Sequence, residues 1–182
     1  MTHDPNIHHR HSIRLKGYDY SQAGAYFITI CVQDRAHLFG KITDGEMVLN
    51  EMGQIAYDEW LKTSVLRKNV QLDVFVIMPN HIHGIIMFHG RGELHSPINN
   101  QHMNIPGECN SPLRGPSDNI GAIVRGYKSS VTKRLNLLNF GYAVWQRNYW
   151  EHIIRDEKLY QTISNYIIVN PSKWADDKFY TK

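Results

Sequence analysis

Two β-prone runs joined by a short turn constrain the fold of this chain more than any other feature. The first run, VQLDVFVIM, begins at Val70, and the second, HIHGIIMF, begins at His81. Val, Ile and Phe favour strands, and the Pro79-Asn80 pair between the runs favours a turn. The pattern therefore predicts two strands that pair as an antiparallel hairpin. The apolar second run also predicts a central position in a sheet.

The segments around this hairpin follow the order of a common fold class. They comprise a strand at 24–33, a hairpin with its turn at Asp44-Gly45, amphipathic helices at 51–66 and 120–138, a strand candidate at 148–156, and a helix at 157–170. Asp156 is placed to cap the last helix, and Pro171 is placed to end it. The kernel strand, helix, strand, strand, helix, strand predicts an α+β fold of the ferredoxin-like or RRM-like type, in which helices pack on an antiparallel sheet.

Length and composition fit one globular domain with a flexible start. The chain has 182 residues, of which 42% are hydrophobic and 20% are charged, and a length of this order suits a single core. We predict a flexible arm over residues 1–16 and a single domain over 17–182. Within that domain we predict a long surface loop at 89–118, where Gly, Pro, Asn and Ser dominate. From Ser172 onward we expect a short polar tail that contains Trp174.

Charge and cysteine content bear on the setting of the protein. The formal net charge of +3 is only weak evidence for a polyanionic partner. Cys31 and Cys109 lie far apart and form no C-x-x-C motif, so we predict neither a disulfide framework nor a zinc knuckle. No apolar run reaches the roughly 18 residues that a membrane span needs, and the polar N-terminus does not resemble a secretory signal. We therefore expect a cytoplasmic protein with no membrane partner.

The second run of the hairpin carries His81 and His83 with one residue between them. Side chains alternate between the faces of a strand, so the two imidazoles project side by side and Ile82 points to the other face. Two neutral imidazoles on one strand form half of a metal site, whereas two polar residues on a solvated face are the other interpretation. A metal site needs a third ligand, and the sequence leaves four candidates open: His152, Glu151, Asp73 and Asn170.

The last predicted helix offers a group that could react beside such a site. Tyr166 and Asn170 are four residues apart and therefore share a face of the helix. A tyrosine there is either an ordinary residue at the edge of the core or a nucleophile. In the second case its hydroxyl attacks phosphorus while a nearby cation stabilises the phosphate oxygens. The spacing alone does not choose between these interpretations.

Several stretches of the chain carry a resemblance to a known family. MPNHIHGII, and later WQRNYWEHIIRDEKLYQTISNYIIVNPSKW, resemble the single-tyrosine transposases of the HUH nuclease superfamily, most of all the REP-associated tyrosine transposases. The segment RLKGYDYSQAGAYFITICVQDRAHLFG also fits that branch. The resemblance covers residues 13–174 apart from the loop at 89–118. Its motifs are specific in combination: H-x-H after M-P-N, then W-Q-x-x-x-W-E-H, then Y-I-x-x-N-P.

This resemblance implies a site, a reaction and a partner. His81 and His83 match the metal-binding pair of the family, Tyr166 matches its catalytic tyrosine, and Asn170 occupies a polar position that implies a third metal ligand. The family cleaves single-stranded DNA at hairpin-flanked sites with Mg²⁺ or Mn²⁺. It forms a 5′-phosphotyrosine, leaves a free 3′-OH and rejoins strands by the reverse step. A homodimer, in which a partner's helix completes each site, is one possible assembly.

Single-stranded DNA beside a hairpin requires basic contacts and stacking surfaces. Five basic residues, on the helix at 120–138 and before the last strand, are predicted to contact the DNA backbone: Arg125, Lys128, Lys133, Arg134 and Arg147. Tyr149 and Trp150 are candidates for stacking on bases. Three further residues match a family motif to which we assign no role: Trp145, Gln146 and His152.

Other functions fit the histidine pair less well. A histidine-triad hydrolase needs a third alternating histidine, where this chain has Ile85, and a two-histidine phosphodiesterase needs H-x-T or H-x-S. The alternative from a different class is a nucleic-acid-binding module, non-catalytic or domesticated, that stacks bases on a ferredoxin-like sheet. Such a module does not need a tyrosine that faces two histidines, and this difference separates the two hypotheses.

Overall fold

The computed structural model describes residues 22–89 and 119–180, in which helices and strands follow the predicted order. The strands are β1 (Gly24–Cys31), β2 (Gly40–Thr43), β3 (Glu46–Leu49), β4 (Val70–Ile77), β5 (His81–Phe88) and β6 (Trp150–Ile154). The helices are α1 (Glu51–Leu66), α2 (Ile120–Leu137) and α3 (Glu157–Val169), with 3-10 helices at Gln33–Arg35 and Pro171–Asp176. The predicted arm at 1–16, and the predicted loop beyond His89, lie outside the described residues.

Four strands form an antiparallel sheet in the order β4-β5-β1-β6. This is the order that the ferredoxin-like kernel produces, so the predicted α+β fold is confirmed. β4 and β5 pair as the predicted hairpin, and β5 is a central strand because β1 lies on its other side. β2 and β3 pair separately, and Asp44 and Gly45 between them adopt the positive φ angles of 53° and 78° that a two-residue hairpin turn requires.

A side-chain cap begins each of the three α-helices. The capping oxygen accepts a hydrogen bond from a backbone N–H one turn later, which satisfies a group that the helix leaves unpaired. The caps are Asn50 to Gly53, Asn119 to Ala122 and Asp156 to Leu159; the last confirms the predicted start of α3. Within the described ranges, none of the helices combines the length and the hydropathy that crossing a bilayer requires.

The two faces of the sheet pack against different helices. Tyr26, Ile28 and Ile30 of β1 lie in the larger core, which α1 and α2 complete. Phe27, the residue between the first two, packs instead on the smaller cluster formed with α3. Because side chains alternate along a strand, His81 and His83 lie on the α3 face and Ile82 lies in the larger core.

The C-terminal segment differs from the short polar tail that the sequence predicted. After its 3-10 helix the chain packs against the sheet, and Trp174 and Phe179 are buried. Their rings lie 5.9 Å and 4.6 Å from the ring of His81, measured between centroids. The prediction was wrong because these two aromatic residues stand among charged ones, so their burial depends on long-range packing rather than on local periodicity.

Candidate active site

The histidine pair lies on β5 with both imidazoles fully buried. The ring centroids of His81 and His83 are 4.4 Å apart, as expected for alternate residues of one strand. Across the strand pair with β1, these residues stand opposite Cys31 and Thr29. The predicted convergence of the imidazoles is therefore present, on a rigid central strand rather than on a solvated face.

A hydrogen bond orients the Nδ1 atom of each imidazole. Asn80 Oδ1 lies 2.8 Å from His81 Nδ1, and Thr29 Oγ1 lies 2.8 Å from His83 Nδ1. An amide oxygen can only accept, so His81 donates from Nδ1 and keeps its lone pair on Nε2. The hydroxyl of Thr29 is able to accept in the same way. Contacts of this kind fix the ring orientation and tautomer of histidines that bind metals.

Both imidazoles are held in the neutral form. Burial lowers the pKa of His81 to about 4, although the nearby carboxylate of Asp177 partly opposes the shift. Burial also lowers the pKa of His83 well below its ordinary value, and the neighbouring His81 adds to this effect. A neutral imidazole with a free lone pair is the form that binds a metal ion.

Tyr166 of α3 reaches the histidine pair of its own chain. Its hydroxyl lies 3.1 Å from His83 Nε2 and donates to Asp177 Oδ2 at 3.1 Å. The ring is half-buried and lies edge-on to Phe27, with centroids 6.2 Å apart. Burial, followed by the negative charge of Asp177, raises the pKa of Tyr166 above the ordinary value near 10. The hydroxyl is therefore a neutral phenol in this arrangement.

Asp177 is a site residue that the sequence reasoning missed. Its carboxylate accepts three hydrogen bonds, from the Tyr166 hydroxyl, from Asn170 Nδ2 at 2.7 Å and from the backbone N–H of Phe179 at 2.6 Å. One ligand atom each from His81, His83 and Asp177 lie within 4.8 Å of one another. The sequence offered no signal for this residue, because it follows a short 3-10 helix in which charged residues are common.

The donor set fits a divalent cation. Two imidazoles and one carboxylate are ordinary ligands for such ions. Among the described residues, His81 Nε2 and Asn170 Oδ1 are buried atoms without a hydrogen-bond partner, and buried polar atoms of this kind call for a partner of some kind. Asn170, the predicted third ligand, lies beside the cluster, and its Nδ2 is bound to Asp177.

The other candidates for the third ligand lie elsewhere. Asp73 accepts a hydrogen bond from Tyr160 at 2.5 Å and lies where the β4–β5 register shifts. Glu151 of β6 alternates with its neighbours onto the face of α1 and α2. His152 shares the face of the histidine pair, but it is exposed on β6 opposite Phe27. None of the three belongs to the cluster of His81, His83 and Asp177.

Two exposed cations flank the site, and the sequence reasoning did not single them out. The guanidinium carbon of Arg35 lies 5.4 Å from the ring centroid of Phe179, and Lys178 Nζ lies 4.8 Å from it. The same ring packs against His81. The positive charges therefore lie next to the histidine pair, where an anionic substrate would approach it.

The structure places the predicted DNA-binding residues apart from the histidine pair. Four lie on α2, on the opposite face of the sheet, and one precedes β6: Arg125, Lys128, Lys133, Arg134 and Arg147. Arg134 bonds to Glu59 at 3.0 Å, and Lys128 Nζ donates to the backbone carbonyls of Gln146 and Asn148. These two therefore have intramolecular partners, whereas the other three are exposed. Lys128 and Lys133 also line an open groove of ≈ 640 Å³ beside Trp145.

Comparisons with known proteins agree with this fold. The chain is 43% identical to a Haemophilus influenzae protein of uncharacterised function, over 98% of this chain and 97% of that protein. It is 27% identical to a second protein of that organism, whose name assigns it provisionally to the REP-associated tyrosine transposases, over 85% of this chain and 74% of that protein.

Solved structures give a match of the same kind. The structure of a REP-associated tyrosine transposase bound to a REP hairpin superposes with a TM-score of 0.60 at 20% identity, and the match covers 91% of this chain and 76% of that one. At this identity the structural match establishes the fold alone. No protein-family model matches the chain.

Proposed function

We propose that the chain is a member of the REP-associated tyrosine transposase branch of the single-tyrosine HUH transposases and that it cuts and rejoins single-stranded DNA through Tyr166. Its 27% identity to a protein provisionally named for that branch, and the fold that it shares with a solved member, support this proposal. The observation that carries this proposal is the approach of the Tyr166 hydroxyl to within 3.1 Å of His83 Nε2. A nucleophile and a potential metal cluster thus meet in one chain, which a purely binding module does not require.

We assign the metal site to His81, His83 and Asp177, with Mg²⁺ or Mn²⁺ as the ion and Asn170 as a further oxygen donor. The unpartnered His81 Nε2 and the converging ligand atoms support this assignment. When bound, a divalent cation polarises a phosphate and offsets the negative charge beside the phenol. The Asn80 contact keeps the Nε2 lone pair of His81 available, and the Thr29 contact holds the ring of His83 beside it, so the side chains of the site are positioned before any substrate arrives.

The proposed reaction is a transesterification at phosphorus. The Tyr166 oxygen forms a bond to phosphorus, and the bond between phosphorus and the 3′-oxygen breaks. The phenolic proton passes to an acceptor, for which Asp177 Oδ2 is already in contact, and a proton is returned to the leaving 3′-oxygen. The products are a 5′-phosphotyrosine and a free 3′-OH. Because the covalent link conserves the bond energy, the reverse step rejoins strands without ATP.

The proposed partner is single-stranded DNA that carries a hairpin. The solved relative with the same fold is bound to a REP hairpin, and the exposed cations Arg35 and Lys178 supply positive charge at the site. The exposed residues Arg125, Lys133 and Arg147 are proposed to contact more distant phosphates. A homodimer remains a prediction. Completion of the site by a partner's helix is not needed in this arrangement, because Tyr166 already reaches the histidines of its own chain.

A covalent-adduct assay tests the proposal. The protein is incubated with end-labelled hairpin oligonucleotides and Mn²⁺, and a protein–DNA band that survives denaturation is expected. Tyr166→Phe should abolish the band. Tyr160→Phe should retain it, because Tyr160 lies on the same helix but bonds to Asp73. A band that persists in Tyr166→Phe would exclude this tyrosine as the nucleophile. Hairpin binding without any adduct in the wild type would instead favour the non-catalytic module.

A further inference from the structure

Trp150 is an exposed tryptophan in a regular strand. It leaves 56% of its surface accessible on β6, whereas Trp60 and Trp174 leave 1% and 8%. A single exposed apolar residue carries no function by itself. The position of this indole relative to the candidate active site indicates a function.

The indole of Trp150 lies on the same face of the sheet as the histidine pair. In the β1–β6 register Trp150 stands directly opposite Thr29, whose hydroxyl bonds to His83. Directly opposed residues of antiparallel strands share a face. The neighbouring Tyr149 and Ile153 pack against the larger core on the other face, as alternation requires.

His83, Thr29 and Trp150 therefore form one rung across β5, β1 and β6. Neighbouring strands lie about 5 Å apart, so the rung places the backbone of Trp150 about 10 Å from the backbone of His83. On the next rung, Phe27 contacts Tyr166 edge-on and stands opposite His152. A DNA strand whose phosphate lies at Tyr166 thus has the surface of β1 and β6 directly beside it.

The described elements leave this part of the sheet uncovered. α3 packs on β4 and β5, and the apolar cluster beneath it extends along β6 only to Ile154. His152 and Trp150, the next residues on this face toward the start of β6, are both exposed. In residues 22–89 and 119–180, β6 also has no further strand beside it.

Charge favours a nucleic acid as the occupant of this surface. Arg147 precedes Trp150, Arg155 follows the end of β6, and both are exposed. Asp156, the acidic residue beside Arg155, accepts the N-cap hydrogen bond of α3. Cations beside an aromatic surface suit single-stranded DNA, because the backbone binds the charges and a base stacks on the ring. The same like charges oppose pairing of β6 with a second copy of itself.

We propose that the indole of Trp150 stacks on a base of the DNA strand that Tyr166 attacks, close to the scissile phosphate. The identity of that strand rests on the proposed function, whereas the stacking itself does not. A base held on this rung fixes the path of the strand across the sheet, so that the adjoining phosphate lies at the tyrosine. Stacking tolerates every base, so Trp150 adds affinity and register rather than sequence preference.

Binding of fluorescent oligothymidylate, measured by anisotropy in a Tyr166→Phe background, tests the proposal without cleavage. Trp150→Ala should weaken binding roughly 5- to 150-fold, the range for loss of one stacked base. Trp150→Phe should retain most of the affinity, since a phenyl ring also stacks. Tyr142→Ala is the matched control, because Tyr142 is 78% exposed in the connection between α2 and β6. Equal affinity of Trp150→Ala and the parent protein overturns the proposal.

Further measurements distinguish stacking on Trp150 from a merely structural effect. Oligothymidylate should quench the tryptophan fluorescence of the parent, and Trp150→Phe should remove most of that quenching. A duplex of oligothymidylate and oligoadenylate should bind Trp150→Ala and the parent alike, because its bases are already stacked. Equal weakening for single strand and duplex together with a lower melting temperature overturns the proposal. So does a change in oligomeric state, by analytical ultracentrifugation, with single-strand binding unchanged.

The adduct assay separates failure of this proposal from failure of the proposed function. If the wild type forms no adduct but Trp150→Ala weakens binding of oligothymidylate, the reaction fails and the stacking surface stands. If the wild type forms the adduct and Trp150→Ala binds like the parent, the stacking surface fails and the reaction stands.

Discussion

The orientation of the two imidazoles depends on hydrogen bonds to their Nδ1 atoms, on the side of each ring away from the proposed metal. Asn80 and Thr29 each bind an Nδ1 atom at 2.8 Å, which directs both Nε2 atoms toward the cluster with Asp177. Without these contacts each imidazole is free to exchange tautomers or rotate, and a metal ion would have to order it on binding. At the scale of single residues, these two hydrogen bonds would therefore set the affinity of the proposed metal site.

Thr29→Val tests the contact behind His83. The change keeps the shape of a buried side chain but removes the hydroxyl that is hydrogen-bonded to Nδ1, so affinity for Mn²⁺ should fall about 10- to 100-fold. Thr63→Val is the matched control, because Thr63 is also buried but bonds to Glu59 on α1. Isothermal titration calorimetry measures both. Equal Mn²⁺ affinity in the two variants would show that Thr29 does not orient the imidazole.

Asp177→Asn tests whether the missed carboxylate is a metal ligand. Loss of the negative oxygen should reduce Mn²⁺ affinity at least about 10-fold. The change should also lower the pKa of Tyr166, because Asp177 raises it in this structure. Asp176→Asn, the exposed neighbour in sequence, serves as the control and should leave both properties unchanged. Unchanged Mn²⁺ affinity in Asp177→Asn would exclude Asp177 as the third metal ligand and leave Asn170 as the candidate.

The sequence predicted His81, His83 and Tyr166 as a group because strand alternation and a family motif place them. It did not predict Asp177, since no periodicity governs the segment after α3. The position of Arg134 was also beyond local patterns: the residue follows basic neighbours on α2, but its partner Glu59 lies on a distant helix. Long-range packing, rather than residue type, decided these two roles.

At the scale of elements, β5 is packed tightly on both faces. Between His83 and Ile85, Gly84 faces α1, where an added Cβ would lie 2.6 Å from Trp60 Cζ2 and 3.1 Å from Phe75 Cβ. The glycine therefore allows the α1 tryptophan to approach the strand that carries the histidines. The order and approximate positions of these elements followed from the sequence because their periodicities are strong, whereas the close approach at Gly84 is a property of packing.

Gly84→Ala should place a methyl group too close to the Trp60 ring. Because Trp60 is rigid and buried, we expect the free energy of unfolding to fall by about 1–3 kcal/mol, the usual cost of overpacking a core. Gly141→Ala is the control, since an added Cβ there meets nothing within 4 Å. Urea denaturation followed by circular dichroism gives both values. Similar stabilities for the two variants would contradict the packing described for β5.

At the scale of the whole molecule, the sheet separates two surfaces. The candidate active site and Trp150 lie on the α3 face, whereas α1 and α2 cover the other face. The exposed basic residues of α2, Arg125 and Lys133, therefore lie on a helix that packs on the face opposite to Tyr166. The basic residues of α2 divide into residues that stabilise the fold, such as Arg134, and exposed residues available to more distant DNA, such as Lys133.

A pair of substitutions on α2 separates these two roles. Arg134→Gln removes an ion pair with the buried Glu59 and should lower the free energy of unfolding by about 1 kcal/mol. Lys133→Gln should leave stability unchanged. It should weaken hairpin binding and make the binding constant less sensitive to salt, as loss of one phosphate contact does. Thermal melts and binding titrations at several salt concentrations measure both. If Arg134→Gln leaves stability unchanged and weakens DNA binding, Arg134 contacts DNA rather than stabilising the fold.

The central claim, that Tyr166 becomes covalently joined to a DNA strand, is tested most directly by mass spectrometry of the adduct. The protein is incubated with a hairpin oligonucleotide and Mn²⁺, then digested with nuclease and protease, and the modified peptide is sequenced. We predict a nucleotide joined through its 5′-phosphate to Tyr166, in an adduct that requires the divalent ion. A nucleotide on Tyr160 or any other residue, or hairpin cleavage that leaves no modified peptide, would contradict it.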